Sequence, residues 1–421
     1  MSHKSTRLAP LSLAMLSGLL AAVLGLPATA QVSCDKDRKV TARALPEATF
    51  NKLNKIYEQI GNEQYAEAAA DLNKMLEKSS DDYEKALLHQ ALGHISSSQD
   101  KIEDSLRHFR AAVDLNTLPN LAHFQMIYVL AQLQIALERY EEGLRTLDEW
   151  FCVTPPEQIT ADAYVLKANA NAQLKRYRPA LEAIDKAIGL SPDPKENWYQ
   201  LKLAMHFELE QFPQAASTLE IMINKWPDKK QYWTQLSQVY LKIKEDRKSL
   251  AVMALAYRRG LLETESEYQQ LANLYQYLDL PYQAGVILEE AIGKGKIASN
   301  YKHWKQTAET WYQSRELDKS LAAYEKAGSY ADDGKLHMSR AYILVDLERW
   351  PEAAEAIAAA LNKGGLTERE TANSYLLKGM AEMKLKRYDA AQQSFTKASN
   401  YSNTRDGARE WLRQLREVRS G

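Results

Sequence analysis

The groups through which this chain could do covalent or acid–base chemistry are two cysteines, eight histidines and 55 acidic residues. A zinc hydrolase needs paired histidines at a spacing that puts both on one helix face with a glutamate between them. His89 and His94 stand five apart, a poor spacing for sharing a ligand, and no His-Glu-x-x-His motif occurs. No Gly-x-Ser-x-Gly elbow occurs either. Gly293-Lys294-Gly295-Lys296 lacks the spacing of a phosphate-binding loop and reads as a helix stop. The carboxylate pairs Asp81-Asp82 and Asp332-Asp333 fall between helical segments, where acidic side chains cap helix starts. A thiol enzyme would need a histidine brought next to Cys34 or Cys152, and no sequence feature supplies one. The sequence therefore predicts no catalytic residue, no metal site and no cofactor. Non-covalent recognition is the chemistry left to it.

The elements that would present such a surface follow from a repeat. Small residues recur at Ala68, Ser105, Gly143, Ala180, Ala215, Ser249, Ala284, Ser320, Ala353 and Ala391, spaced 33 to 38 apart. Four residues after each stands a large apolar side chain: Leu72, Phe109, Leu147, Ile184, Leu219, Met253, Leu288, Tyr324, Ile357 and Phe395. Three residues before, eight of the ten positions are aromatic or aliphatic, as at Tyr65, Tyr140, Phe212 and Trp350. Offsets of three and four put these side chains on one helix face. A second small position lies twelve residues upstream, as at Gly93, Ala131, Ser237, Ala272 and Gly379, so two helices must approach closely in every repeat. Pro155-Pro156, Pro192 and Pro227 fall between repeats, and Pro213, Pro281 and Pro351 at starts of the second helix, where a missing N–H costs little. Around Gly61 to Tyr65 the first repeat reads as having a turn two residues longer than the others. Asp406 to Val418 reads as one more amphipathic helix, with Trp411, Leu412, Leu415 and Val418 inward and Arg405, Arg409, Arg413 and Arg416 outward. That helix serves either as a polar end cap or as a basic stripe for an acidic partner.

The N-terminus reads as a signal peptide. His3, Lys4 and Arg7 precede an apolar run from Leu8 to Leu26, and Ala28-Thr29-Ala30 provides a cleavage site. Cleavage takes away two of the 54 basic residues and none of the 55 acidic ones, so the remainder is slightly acidic and offers nothing for wholesale nucleic-acid binding. An exported chain meets an oxidising compartment, where Cys34 and Cys152 could close a disulfide tying the leader segment to the third repeat. In the chain-entropy account so long a loop is worth about 4 to 5 kcal/mol. The organisation read here is a leader over 1–30, a lead-in with Cys34 over 31–46, a repeat array over 47–403 and a capping helix and tail over 404–421.

Trp233, Leu236, Ser237 and Tyr240 with Ser249, Met253 and Ala256, and then Tyr268, Leu271, Ala272 and Tyr275 with Ala284, Leu288 and Ala291, resemble the tetratricopeptide-repeat consensus almost position by position. The resemblance runs from about Phe50 to the end of the chain. It implies an all-α superhelical solenoid of about ten helix-turn-helix repeats plus a C-terminal capping helix, binding partners on the concave surface lined by the first helix of each pair. Carried onto this sequence, the family's groove positions are Asn169, Asn197, Gln200, Phe207, Thr234, Gln238, Gln269, Asn273, Gln276, Tyr277 and Tyr312. Carboxamides both donate and accept, which suits the backbone of an extended peptide, and tyrosines give rigid amphipathic contact. Glu208, Lys242, Lys302, Lys305 and Glu309 are the charged exceptions. Lys305 occupies a site of the family's clamp for C-terminal carboxylates, but Glu309 stands where that clamp has asparagine.

The leader with Cys34, the segment Trp150-Phe151-Cys152 and the run Trp226-Pro227-Asp228-Lys229-Lys230-Gln231-Tyr232-Trp233 are similar to periplasmic tetratricopeptide proteins that accompany TonB, ExbB and ExbD systems. That likeness implies a non-catalytic periplasmic scaffold for outer-membrane uptake, with TonB or ExbD as partner, no nucleic acid and no stable membrane insertion. Peptidoglycan or glycan binding, or assembly of outer-membrane proteins, is the competing use of the same lining.

Overall fold

The computed structural model describes residues 37–420; the leader and Cys34 lie outside the described residues. The chain divides into two compact units, Met1–Ser191 and Pro192–Gly421. The first holds α1 (Glu47–Gly61), α2 (Tyr65–Lys78), α3 (Asp82–Ser98), α4 (Ile102–Asp114), α5 (Asn120–Ala136), α6 (Tyr140–Val153), α7 (Ala161–Gln173) and α8 (Tyr177–Leu190), with Pro156–Gln158 forming a short 3-10 turn. The second holds α9 (Glu196–Glu208), α10 (Phe212–Lys225), α11 (Lys230–Lys242), α12 (Asp246–Arg258), α13 (Glu265–Tyr277), α14 (Pro281–Gly293) and α15 (Tyr301–Gln313). It continues with α16 (Leu317–Tyr330), α17 (Lys335–Asp346), α18 (Trp350–Lys363), α19 (Glu368–Lys384), α20 (Tyr388–Ser399) and α21 (Arg405–Ser420). No strand occurs among the described residues. Ten antiparallel helix pairs, four in the first unit and six in the second, and a closing helix make this the all-α repeat architecture that the sequence implies.

The repeat is built from the side chains that marked it. All ten small positions of the second helices are buried, as are the ten large residues that follow them by four. The residue three before each small one is in every repeat the first residue of the second helix. Where the large residue is phenylalanine, the facing position on the first helix is glycine. A Cβ on Gly93 would lie 2.4 Å from the Phe109 ring, and one on Gly379 2.5 Å from that of Phe395. Where the small residue is serine, its hydroxyl is satisfied across the same contact: Ser105 donates to the Gly93 carbonyl at 2.9 Å, Ser320 to that of Ala308 at 2.9 Å, and Ser237 and Ser249 pair at 2.8 Å.

Each pair is joined by a three-residue turn whose middle residue is left-handed, and none of these residues is glycine. Glu63, Asp100, Glu138, Lys175, Glu210, Lys244, Asp279, Arg315, Glu348 and Lys386 all have φ between 54° and 63°. The first repeat does not depart from this: Asn62 to Gln64 has the same length and the same left-handed centre as the other nine, because Gly61 continues α1 and does not widen the turn. A left-handed L-residue costs about 1 to 2 kcal/mol. Lys244→Gly is therefore expected to raise the unfolding free energy by up to about 1 kcal/mol after the entropic penalty of glycine, and Lys244→Val to lower it by about 1 to 2 kcal/mol, both read by urea titration.

In the first unit the lead-in is docked onto the turn between α4 and α5. Buried Arg38 donates to the Asn116 side chain at 2.7 Å, to the Asn120 side chain at 2.7 Å and to the Leu118 carbonyl at 2.5 Å, while Asn120 and Val40 exchange backbone and side-chain bonds. His123, in the first turn of α5, is buried with its Nδ1 unpartnered. Burial, and after it the Arg38 cation, hold its pKa down at about 4, from an ordinary 6.5. The unfolded chain therefore takes up this proton first. The contribution of neutral His123 is complete above pH 6.5 and is lost as pH falls toward 4, by up to about 3 kcal/mol. Urea unfolding of the first unit should weaken over that interval, and His123→Gln should flatten the dependence.

At the other end α21 closes the second unit. Ala408 and Leu415 are buried, Leu412 is partly so, and Trp411 stacks on Phe395 at 5.8 Å and 6°. The four arginines face outward as the pattern predicted, but Val418 is 49 % exposed, and in that last turn it is Arg419 that lies on α20, bonded to Asp389 and Gln392.

Candidate functional site

The residues predicted to line a binding surface lie on the first helices of their pairs, and the structure sorts them into groups. Asn169, on α7, is exposed in the first unit; the other ten are in the second. Asn197 and Gln238 are exposed. Phe207 is half open at the end of α9 and meets the edge of Phe212 at 6.4 Å.

Several polar groups are already engaged. Gln200 donates through Nε2 to the Tyr232 hydroxyl at 2.8 Å, bridging α9 to α11, and that hydroxyl donates to Glu196. Gln276 donates to the Thr310 hydroxyl, bridging α13 to α15. The Thr234 hydroxyl returns to the Gln231 carbonyl at 3.0 Å. These three act first as rivets between or along helices. Each carboxamide still keeps a free oxygen and one N–H for another partner.

Gln269, Asn273 and Tyr277 converge. They rise one turn apart along α13 and line an open depression of about 670 Å³, together with Leu241, Leu274, Asp246, Ser266 and Gln270. The helix is set at its N-terminus by a capping box, in which the Thr264 side chain accepts the Glu267 N–H and Glu267 returns to the Thr264 N–H. Lys230 reaches from α11 to Glu263 at 2.6 Å and to Glu267 at 3.1 Å, fixing the neighbouring helix. Gln269 lines the depression, and its Nε2 is buried beneath the surface without an acceptor in the fold. Asn273 accepts only a long bond from Gln306 at 3.4 Å. Tyr277 is 70 % exposed, more than any other large apolar or aromatic side chain among the described residues. Tyr312, 47 % exposed, stands on α15.

The charged exceptions are partly neutralised: Lys305 lies 3.8 Å from Glu309, and Lys242 sits 5.3 Å from the centre of the Phe212 ring. The sequence reading missed Gln270, Ser266 and Leu241, which turn toward the same depression, and Tyr342 on α17, 48 % exposed. Tyr342 stands one residue after buried Ala341, as Gln238 follows Ser237 and Asn273 follows Ala272, so its register could have identified it.

The arrangement can present amide donors and acceptors beside an aromatic face, and so can hold a backbone. Among the described residues no group of three or more His, Cys, Asp or Glu side chains could hold a metal ion, and no helix is long and apolar enough to cross a membrane. Gly293 ends α14 and Gly295 is left-handed, as a helix stop requires. Asp81 caps α3 by accepting the Glu84 N–H at 2.8 Å, and Asp333 accepts the N–H of Lys335 at the start of α17. Cys152, in the last turn of α6, is disulfide-bonded; its candidate partner Cys34 lies outside the described residues.

Residues 161–194 and 338–403 each match a tetratricopeptide-repeat family model. The first match spans α7 and α8 and the second most of α17 through α20, so these helix pairs are similar to tetratricopeptide repeats. No curated protein matches the chain. Among solved structures it is similar to a tetratricopeptide repeat protein from Parabacteroides merdae, at 15 % identity over 61 % of this chain and 98 % of that one, with a TM-score of 0.29. It is similar to the TPR2AB domain of yeast Sti1, solved as a complex with pHSP90, at 18 % identity over 62 % and 98 %, with a TM-score of 0.31. A third is YrrB, described as a TPR protein with an unusual peptide-binding site, at 15 % identity over 47 % and 100 %, with a TM-score of 0.31.

Proposed function

We propose that this tetratricopeptide-repeat chain is a non-catalytic scaffold that holds an extended segment of a partner protein against the first helices of its second unit. The observation that carries this is the depression on α13: the Gln269 amide, two further amides and an exposed tyrosine, stacked one turn apart over an apolar floor of Leu241 and Leu274. An extended backbone offers alternating N–H and C=O groups, and a side-chain amide, with two N–H donors and a carbonyl acceptor, can answer both.

The scaffold works in the periplasm, after loss of the leader over 1–30, as an accessory to a TonB-type energy-transducing system, with TonB or ExbD as the partner segment. Support for the location is the charged start, apolar run and small-residue site at the N-terminus. Support for the partner is the likeness of the Trp226 to Trp233 segment and of the leader to proteins of such systems. The same reading joins Cys34 to Cys152 and pins the lead-in that Arg38 docks, and non-reducing peptide mapping should recover those two cysteines in one product.

The test is affinity capture from a Gram-negative envelope extract with the full chain and with its Tyr277→Ala/Asn273→Ala variant. TonB or ExbD retained by the first and lost from the second is the expected result. Equal retention by both would move the interface elsewhere, and sedimentation of the purified chain with bare peptidoglycan, abolished by the same variant, would replace the protein partner by a glycan.

A further inference from the structure

In the first unit α1, α2 and the turn into α3 enclose a cleft of about 440 Å³ that the recognition surface on α13 does not involve. Two lysines enter it from each helix: Lys52 and Lys55, three apart on α1, and Lys74 and Lys78, four apart on α2. None of the four forms an ion pair or a hydrogen bond, whereas Lys85, Lys167, Lys225 and Lys230 are each paired with a carboxylate. The wall also carries three carboxylates, but two are occupied: Asp81 is bound by Arg43 and by the Glu84 N–H, and Asp71 accepts from Gln59 at 3.3 Å. Ile56 and Met75 contribute the apolar part of the lining, and the hydroxyls of Thr49, Ser79 and Ser80 the neutral polar part.

Four ammonium groups that no ion pair holds outnumber the two carboxylates of the wall that no cation pairs, Asp71 and Glu84, so the cleft keeps a net positive charge that the fold does not use. Lysines a turn apart on a helix are displaced by about 4.5 to 6 Å along its axis. That is close to the roughly 6.7 Å between side chains on the same side of an extended strand. Two such rows facing each other suit carboxylates on a peptide better than one compact anion, which would engage one row. Lysine also suits a run of carboxylates of variable geometry, since it recognises charge and not a planar fork. The lining of Ile56 and Met75 accepts an aliphatic side chain, and a volume of this order holds a short segment and not a domain.

We propose that this cleft is a second recognition site, which binds a short acidic segment of a protein, with aliphatic residues interleaved among its carboxylates. The chain then carries two chemically distinct sites, a cationic one on the first repeat and a neutral amide one on α13.

The probe is a fluorescein-labelled peptide of alternating glutamate and leucine, titrated with the full chain by fluorescence anisotropy at low and at high salt. The expected result is binding that weakens with salt and that falls at least tenfold in the Lys52→Gln/Lys55→Gln/Lys74→Gln/Lys78→Gln variant. A Lys186→Gln/Lys326→Gln variant, at exposed positions on the second helices of other repeats, should leave it unchanged. Since all four lysines are exposed, thermal melting of the quadruple variant should match that of the parent, and Lys52→Glu/Lys78→Glu, which reverses two charges, should abolish binding as well. Unchanged affinity in the quadruple variant would overturn the proposal, as would equal binding of a labelled control peptide of alternating lysine and leucine. Sedimentation with phosphatidylglycerol vesicles, lost in the quadruple variant while the acidic peptide fails to bind, would overturn it in favour of a lipid headgroup.

Discussion

Tyr277→Ala should weaken capture of the partner segment by about thirtyfold or more while leaving the melting temperature of the chain unchanged. The two halves of this expectation have one cause. Tyr277 is 70 % exposed, so the fold gains little from its ring, yet it stands beside Gln269 and Asn273 in the depression where a partner can bury it. A buried aromatic anchor in an interface is commonly worth about 2 kcal/mol or more, a factor of about thirty at room temperature. Tyr277→Phe separates ring from hydroxyl. Retained affinity in that variant means that area carries the contact, and loss equal to alanine means that the hydroxyl does. Gln276→Ala, one residue away, should behave in the opposite way: its amide holds Thr310 on α15, so stability should fall by about 1 kcal/mol before binding is affected. Calorimetric titration alongside thermal melting distinguishes the two.

Gly379→Ala should cost about 1 to 3 kcal/mol and loosen the closing helix, although it adds a single methyl group. The new Cβ would stand 2.5 Å from the Phe395 ring, which cannot swing away because Trp411 stacks on its far side at 5.8 Å. The strain should therefore pass to α21, and tryptophan fluorescence should report a local transition below the main one. Phe395→Leu in the same chain should recover much of the loss, since four of the five repeats with alanine at this position carry leucine or isoleucine opposite it, as Ala131 faces Leu147 and Ala168 faces Ile184. Gly93→Ala with Phe109→Leu provides the same double-mutant cycle in the first unit, where no stacked indole backs the ring, and the cost there should be smaller.

The repeat was legible because its signal is geometric and redundant. A small residue, a large one four later and an aromatic or aliphatic one three before define a helix start and a buried face at once, and ten copies average out the exceptions such as Asp246. Misjudged features are local. The turn after Gly61 has the common length because the last residues of α1 stay helical, which the composition of that stretch does not reveal. Val418 has the apolar character of an inward residue, but the neighbouring Arg419 takes the face toward α20 and Val418 is left exposed. The binding surface was legible only in part, since glutamine and asparagine have the same appearance in sequence whether they face a partner or a neighbouring helix. Gln200 and Gln276 bridge helices, and Gln269 holds an unanswered donor; only the placement of Tyr232 and Thr310 separates these cases. The lysine cleft on the first repeat was not legible at all, because Lys52, Lys55, Lys74 and Lys78 come together through the angle between α1 and α2.

The central claim is that the face of α13 bearing Gln269, Asn273 and Tyr277 holds a protein segment, and site-specific photo-crosslinking in cells tests it most directly. A photoreactive residue at 273 or 277 should give one discrete adduct, identified by mass spectrometry as TonB or ExbD, while the same residue at 255, where exposed Leu255 lies on the second helix of its pair, should give none. Adducts of equal yield from all three positions, or from 255 alone, would contradict the account.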